Sequence, residues 1–165
     1  GRTLVRLLRE NGIVPTIIEM NLETVGRLKA EGAAVVYGDA NHPETLREAG
    51  VAQARALLLS ASGLTEAKEI VRMARSLNPE IRILARSAYL RERAELRQVG
   101  ANEVYAEEGE VALAMTESVL RKLGATPDQI DRERDRVRAD LFGEATDDDR
   151  AAAAQAIADI HENEA

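Results

Sequence analysis

The feature that most restricts how this chain can fold is an alternation. Short apolar runs, "TII" at residues 16–18, "AAVVY" at 33–37 and "ALLL" at 56–59, are separated by segments whose apolar residues recur every three or four positions. A solid run of about four to six apolar residues reads as a strand covered on both faces, and the longer periodic segments read as amphipathic helices. "RILAR" at 82–86 continues the series as a fourth strand and "NEVYA" at 102–106 as a weaker fifth. Strand and helix in regular alternation predict a parallel sheet built from right-handed βαβ units, a Rossmann-like doubly wound α/β fold.

The helices follow from the same periodicity. Residues 2–11 place Leu4, Leu7 and Leu8 on one face, with Gly12 as the stop. Residues 21–32 place Leu22, Val25 and Leu28 together and stop at Gly32, and a short helix runs from a first-turn Pro43 to a stop at Gly50. Residues 64–79 turn Ile70, Met73, Ala74 and Leu77 inward, and another helix covers 89–100. After Ala106 the alternation ends. A long amphipathic helix over 107–124 carries Val111, Met115, Val119, Leu120 and Leu123. The next helix has Thr126 as N-cap, Pro127 at its first position and Gln129 at its third, a capping-box pattern. Its apolar positions, Ile130, Val137, Leu141 and Phe142, make a thin stripe that fits either packing on a partner copy or a solvated, charge-alternating helix. Residues 144–150 read as a linker and 151–165 as a weak terminal helix. The expected division is a nucleotide-binding domain at 1–124, a charged interaction helix at 125–143 and an acidic tail at 144–165.

Composition removes several classes of function. There is no Cys, and the two His residues, His42 and His161, are far apart, so no metal site is expected. No apolar run approaches the ~20 residues of a membrane span, and no secretory leader pattern is visible. Residues 125–165 carry 5 basic and 12 acidic residues, so the net charge of −7 lies wholly in the tail. With a neutral body, one Phe and three Tyr, no nucleic-acid partner is expected.

Helices that follow each strand begin at the carboxyl edge of the sheet, where ligands of such folds bind. A helix opening at Arg2 calls for a preceding strand and a G-x-G-x-x-G turn. Gly1 reads either as the last glycine of that fingerprint, with the first strand and two earlier glycines outside this sequence, or as an arbitrary start. Glu19 ends the next strand, about 20 residues on, where an acid takes the ribose hydroxyls of a bound adenosine. Asp39, after Gly38, ends the neighbouring strand. It reads either as a second contact to adenosine or as turn chemistry, with Asp39 or Asn41 capping the helix at Pro43. Arg86, just past a buried strand, suits a phosphate or carboxylate and equally suits a surface ion pair.

Taken together, "GRTLVRLL…PTIIEMNLETVGRLKAEGAAVVYGDANHPETLREAGV" and "ARALLLSASG…ILARSAYLRERAELRQVGANEVYAEEGEVALAMTESVLRKLG" resemble the RCK or TrkA-N domain, over about residues 1–143. The later segments look most like the C-terminal cytoplasmic domain of Kef-type cation:proton antiporters. The resemblance implies a homodimeric regulatory domain, not an enzyme, lying at the inner face of the plasma membrane. It would bind NAD(H) or an adenine nucleotide such as AMP or ATP and gate an attached or associated potassium or cation transporter. By the resemblance, Gly1 matches the last fingerprint glycine and Glu19 the ribose acid. Asp39 and Ala40 match the Gly-Asp-Ala contact to adenosine, Ser60 and Ala61 the strand end lining the nucleotide, and Arg86 the basic position near the phosphates. In glutathione-gated Kef systems a similar Arg helps hold the tripeptide at the dimer interface. The sequence departs from the family in lacking the first strand and two fingerprint glycines.

Two other functions compete. A small NAD-dependent oxidoreductase needs an acid–base group beside the nicotinamide, and the chain has no Tyr-x-x-x-Lys pair and no second substrate domain. A helical interaction module would use the charged helix and acidic tail and leave the Rossmann part idle.

Overall fold

The computed structural model describes residues 1–60 and 63–142. The expected role of Ala61 and the expected linker and terminal helix at 144–165 lie outside the described residues. The chain divides into two compact units between Glu108 and Gly109. Among the described residues no helix is long and apolar enough to cross a membrane.

The first unit alternates as expected: α1 (Arg2–Glu10), β1 (Thr16–Glu19), α2 (Leu22–Ala30), β2 (Ala34–Tyr37), α3 (Pro43–Glu48), β3 (Ala56–Leu59), α4 (Leu64–Leu77), β4 (Arg82–Ser87), α5 (Arg93–Gln98) and β5 (Glu103–Ala106). Every strand pairing is parallel. The helix expected over 89–100 is divided. A 3₁₀ turn, Leu90–Glu92, precedes α5, and the Glu92 carboxylate collects the amides of Ala88 and Tyr89 at 3.1 and 3.3 Å.

The core lies under β3, β4 and β5. Leu46, Val71, Ile81, Ile83 and Leu96 are fully buried there, joined by Val51, Ile70 and Val104. Burying each such side chain contributes about 1.5–3 kcal/mol. At the amino edge of this sheet the polar groups are tied together. Asn78 Nδ2 donates to the carbonyls of Val51 and Ala54, and Arg75 donates to those of Pro79 and Gly100. The Asn102 side-chain oxygen accepts from both Arg75 and the Ile83 amide.

The sheet is not continuous. β1 and β2 form a two-stranded sheet, and β3, β4 and β5 form a three-stranded one in that order. Thus β1 and β3 each have one edge with no described strand against it. Leu58 on β3 is 36% exposed, whereas Ile83 and Ala85 on the central strand β4 are buried. Helix α1 buries no residue, although Leu4, Val5 and Leu8 are half-buried. In α2, Val25 and Leu28 are buried as expected, but Leu22 is 66% exposed, at the first position of the helix, where the chain still lies outside the layer.

The second unit is an antiparallel helix pair, formed by α6 (Glu107–Lys122) from Gly109 onward and α7 (Pro127–Phe142). The expected capping box is present: Gln129 N–H donates to Thr126 Oγ1 at 3.3 Å, and Thr126 N–H donates to Gln129 Oε1 at 2.8 Å. Arg134 pairs with Glu117 and Arg138 with Glu110, and Ile130 is buried. Guanidinium groups beside them hold the carboxyls of Glu117 and Glu133 below the usual glutamate range.

Amide exchange reads the sheet division directly. Amides of β4 are expected to be protected along the whole strand, because it is paired on both sides. In β1 and β3 the alternate amides that point to the free edges are expected to exchange at rates near those of loops. Uniform protection along β1 and β3 would mean that a further segment pairs with both edges.

Candidate functional site

The site grows from the last rung of the β1–β2 ladder. Glu19 is level with Tyr37, and the Gly38 amide donates to the Glu19 carbonyl at 3.1 Å. The two strands therefore end together and deliver Glu19 and Asp39 to the same carboxyl edge.

Each acid is then fixed by its own loop in the same way. Asn21 N–H donates to Glu19 Oε1 at 2.8 Å, and Asn41 N–H donates to Asp39 Oδ1 at 2.9 Å. Both strand ends read acid-x-Asn: Glu19-Met20-Asn21 and Asp39-Ala40-Asn41. The asparagine side chains diverge. Asn21 Oδ1 caps α2 by accepting from Thr24 N–H, whereas Asn41 Nδ2 returns to Asp39 Oδ1 at 2.9 Å. The bonds from the Asn41 backbone and then its side chain hold the Asp39 carboxyl below the ordinary aspartate value of 3.8. In each acid one carboxylate oxygen carries these bonds, and among the described residues the other meets no donor, leaving an acceptor for hydroxyl groups. His42, not Asp39 or Asn41, is the N-cap residue of α3, and no side chain caps that helix.

Gly38 has a packing reason to be glycine. A Cβ added there would lie 2.8 Å from Thr45 Oγ1 and 2.9 Å from Thr45 Cγ2. Thr45 is buried in α3 and β-branched, so it has little freedom to withdraw. At this point it is α3 that approaches the backbone closely. Ala40 is half-buried and packs against the core.

The other side of the edge is built from Gly1, Ser60 and Arg86. A Cβ placed on Gly1 would stand 3.5 Å from Ser60 Oγ, so the start of α1 lies beside the end of β3. Gly1 is the N-cap of α1, and no side chain caps that helix. Its first-turn amides, with the positive end of the helix dipole, face an edge suited to an anion. Leu59 is level with Ala85, so Ser60 and Arg86 stand one step further on neighbouring strands. Arg86 Nη1 donates to Glu107 Oε1 at 2.5 Å, with both side chains about half exposed.

The structure thus brings Glu19 with Asp39, and Gly1 with Ser60, and ties Arg86 to Glu107. Sequence reading missed Asn21, Thr45 and Glu107, and gave Asn41 the role of a helix cap rather than that of Asp39's partner. The repeated acid-x-Asn signals both asparagines. Thr45 and Glu107 carry no comparable signal, because their partners are set by tertiary packing.

Two measurements test this construction. Gly38→Ala is expected to cost about 1–3 kcal/mol of stability, and Thr45→Ala in the same chain is expected to recover part of that loss; equal losses in single and double variants would rule out the contact. For Asp39, a depressed native pKa means that its stabilising contribution is complete above 3.8 and is lost as pH falls through the native value. Asn41→Ala removes one of the two bonds, so the Asp39 carboxyl resonance is expected to titrate at higher pH, nearer to 3.8.

Comparison with known proteins identifies the family and the fold. Residues 1–107 match the TrkA-N domain family. The TrkA-N domain of the inner membrane protein ybaL from Escherichia coli is similar at 36% identity and a TM-score of 0.69, over 71% of this chain and 87% of that one. The GsuK channel bound to NAD is similar at 26% identity and a TM-score of 0.60, over 68% of this chain and 20% of that one. The Kef C-terminal domain of Shewanella denitrificans in its AMP-bound form shares the fold at 22% identity and a TM-score of 0.58, over 89% of this chain and 94% of that one. The chain belongs to the TrkA-N (RCK) domain family.

Proposed function

We propose that this chain is a non-catalytic sensor that binds NAD(H) or an adenine nucleotide at the carboxyl edge and thereby gates a potassium or cation transporter of the Kef type or an uptake system. The observation that carries the reading is the pair of acids at adjacent strand ends, each pinned by an asparagine two residues on and each with one oxygen that no donor among the described residues meets. Adenosine fits such a pair: the ribose hydroxyls are the donors that an acid at the end of the second Rossmann strand accepts. A 2′-phosphate would be repelled by Glu19, so NADP is disfavoured.

For the phosphates the described residues offer the uncapped first turn of α1 beside Ser60. Arg86 would join them by exchanging Glu107 for phosphate. The solved relative with NAD is a channel, which supports a regulatory rather than an enzymatic role. Gating follows if the nucleotide favours one arrangement of two subunits over another, a coupling typically worth ~1–3 kcal/mol. The homodimer and a place at the inner face of the membrane belong to this reading, with 125–143 as an interaction helix.

The test is a thermal shift with NAD, NADH, AMP, ATP and NADP. A ligand at about 100 times its Kd adds roughly 2.7 kcal/mol of stability. An adenine ligand other than NADP is expected to raise Tm, and Asp39→Ala is expected to abolish the rise. No shift with any of the five would set aside the sensor reading.

A further inference from the structure

The ends of β3, β4 and β5 set three polar side chains in a row. Leu59 is level with Ala85, and Arg86 with Tyr105. Ser60 therefore stands beside Arg86 on one side, and Glu107 lies two steps past Tyr105 on the other. Neighbouring strands are about 4.8 Å apart, so a side chain as long as arginine reaches either neighbour from one backbone position. Arg86 is turned to the β5 side, where Nη1 donates to Glu107 Oε1. The start of α1, beside Ser60, lies on the opposite side.

The same pair holds a joint. The beginning of α6 is tied to the end of β4 and the loop after it at three points. Arg86 takes Glu107, the Glu108 amide donates to the Ala88 carbonyl at 3.2 Å, and the Leu90 amide donates to the Glu108 carboxylate at 3.0 Å. Gly109 follows at once, a residue of poor helix propensity, and the division between the two compact units falls just before it. Of the three ties, only the first uses a cation that a ligand anion could claim.

We propose that the Arg86–Glu107 pair is a latch on the first turn of α6, opened when the phosphate of a bound nucleotide takes Arg86. The phosphate, not the adenosine, is then the switching group. The proposal rests on the nucleotide reading above and adds which contact carries the signal. It makes Glu107 a competitor of the phosphate: the carboxylate lowers the affinity for nucleotides and leaves that for adenosine alone. Both side chains of the pair are about half exposed, so solvent screening keeps the latch weak enough for a ligand to open.

The test uses the whole chain, with adenosine and AMP as probes. Affinities are measured by calorimetry for wild type, Glu107→Gln, Arg86→Gln and the double variant. Exchange of the Glu108 and Leu90 amides is followed by NMR. Glu107→Gln is expected to tighten AMP by up to about fivefold, the range that a screened ion pair allows, with adenosine unchanged. In the Arg86→Gln background the same substitution is expected to give no tightening. AMP, but not adenosine, is expected to speed exchange at Glu108 and Leu90 in wild type, and Glu107→Gln is expected to show the faster rates without ligand. AMP binding that Glu107→Gln leaves unchanged or weakens would overturn the competition. Equal tightening with and without Arg86 would mean that Glu107 acts by its charge alone and that no latch exists. Exchange that AMP does not speed, or that adenosine speeds as much, would overturn the latch or its trigger. Each of these results leaves nucleotide binding intact; wild type that binds neither probe would set aside the nucleotide reading and the latch with it.

Discussion

One backbone hydrogen bond organises the candidate site: the Gly38 amide on the Glu19 carbonyl, where the β1–β2 ladder closes. Because it is the last rung, everything beyond it on either strand is free to turn. Each strand end does so through an asparagine two residues past an acid. The bond therefore sets the separation of the two carboxylates, since both emerge directly from paired strand ends rather than from long loops. Its own position depends on Gly38 lacking a Cβ, because Thr45 fills that space. A side chain at residue 38 would push either α3 or the end of β2, and the acid pair would move with it. Site geometry and helix packing are here the same constraint.

The amino and carboxyl ends of the strands are used differently. At the amino edge Asn78, Arg75 and Asn102 satisfy carbonyls and amides, and their donors and acceptors are consumed in doing so. At the carboxyl ends, Gly1 gives the first turn of α1 no side-chain cap, and among the described residues each acid keeps an oxygen that no donor meets. Polar groups left with hydrogen-bonding capacity beside an apolar core are costly unless water or a ligand meets them. The contrast is the physical reason the carboxyl ends of the strands are the candidate site.

Much of this was legible in the sequence, for identifiable reasons. Strand and helix alternation follows from periodicity, which local sequence fixes. The capping box at Thr126 and Gln129 was equally readable, because it depends only on residues three apart. What stayed hidden depends on which segments meet. The break between β1 and β3 is a property of pairing, and the same apolar runs would serve in a continuous sheet. The exposure of Leu22 could not be read from a face assignment, because the first turn of α2 lies beyond the layer that buries Val25 and Leu28. Helix α6 misleads in the same way. Its large apolar residues outline a stripe, yet Gly109 and Leu113 occupy the buried side. Periodicity reports that a helix has an apolar face but not what covers it.

For Arg86 the sequence left an anion contact and a surface ion pair open, and the structure shows the ion pair, with Glu107. Its bond to Glu107 is short, but both side chains are about half exposed, and such a pair contributes about 0–1 kcal/mol after screening. Glu107 is also the first residue of α6, where the helix dipole stabilises a negative charge without help from Arg86. Releasing the guanidinium therefore costs little on either side. A phosphate offers it two oxygens in the fork geometry that a single carboxylate oxygen does not. The ion pair is therefore no obstacle to the role proposed for Arg86 at the phosphates, since a charge-assisted bidentate contact supplies more energy than the pair holds.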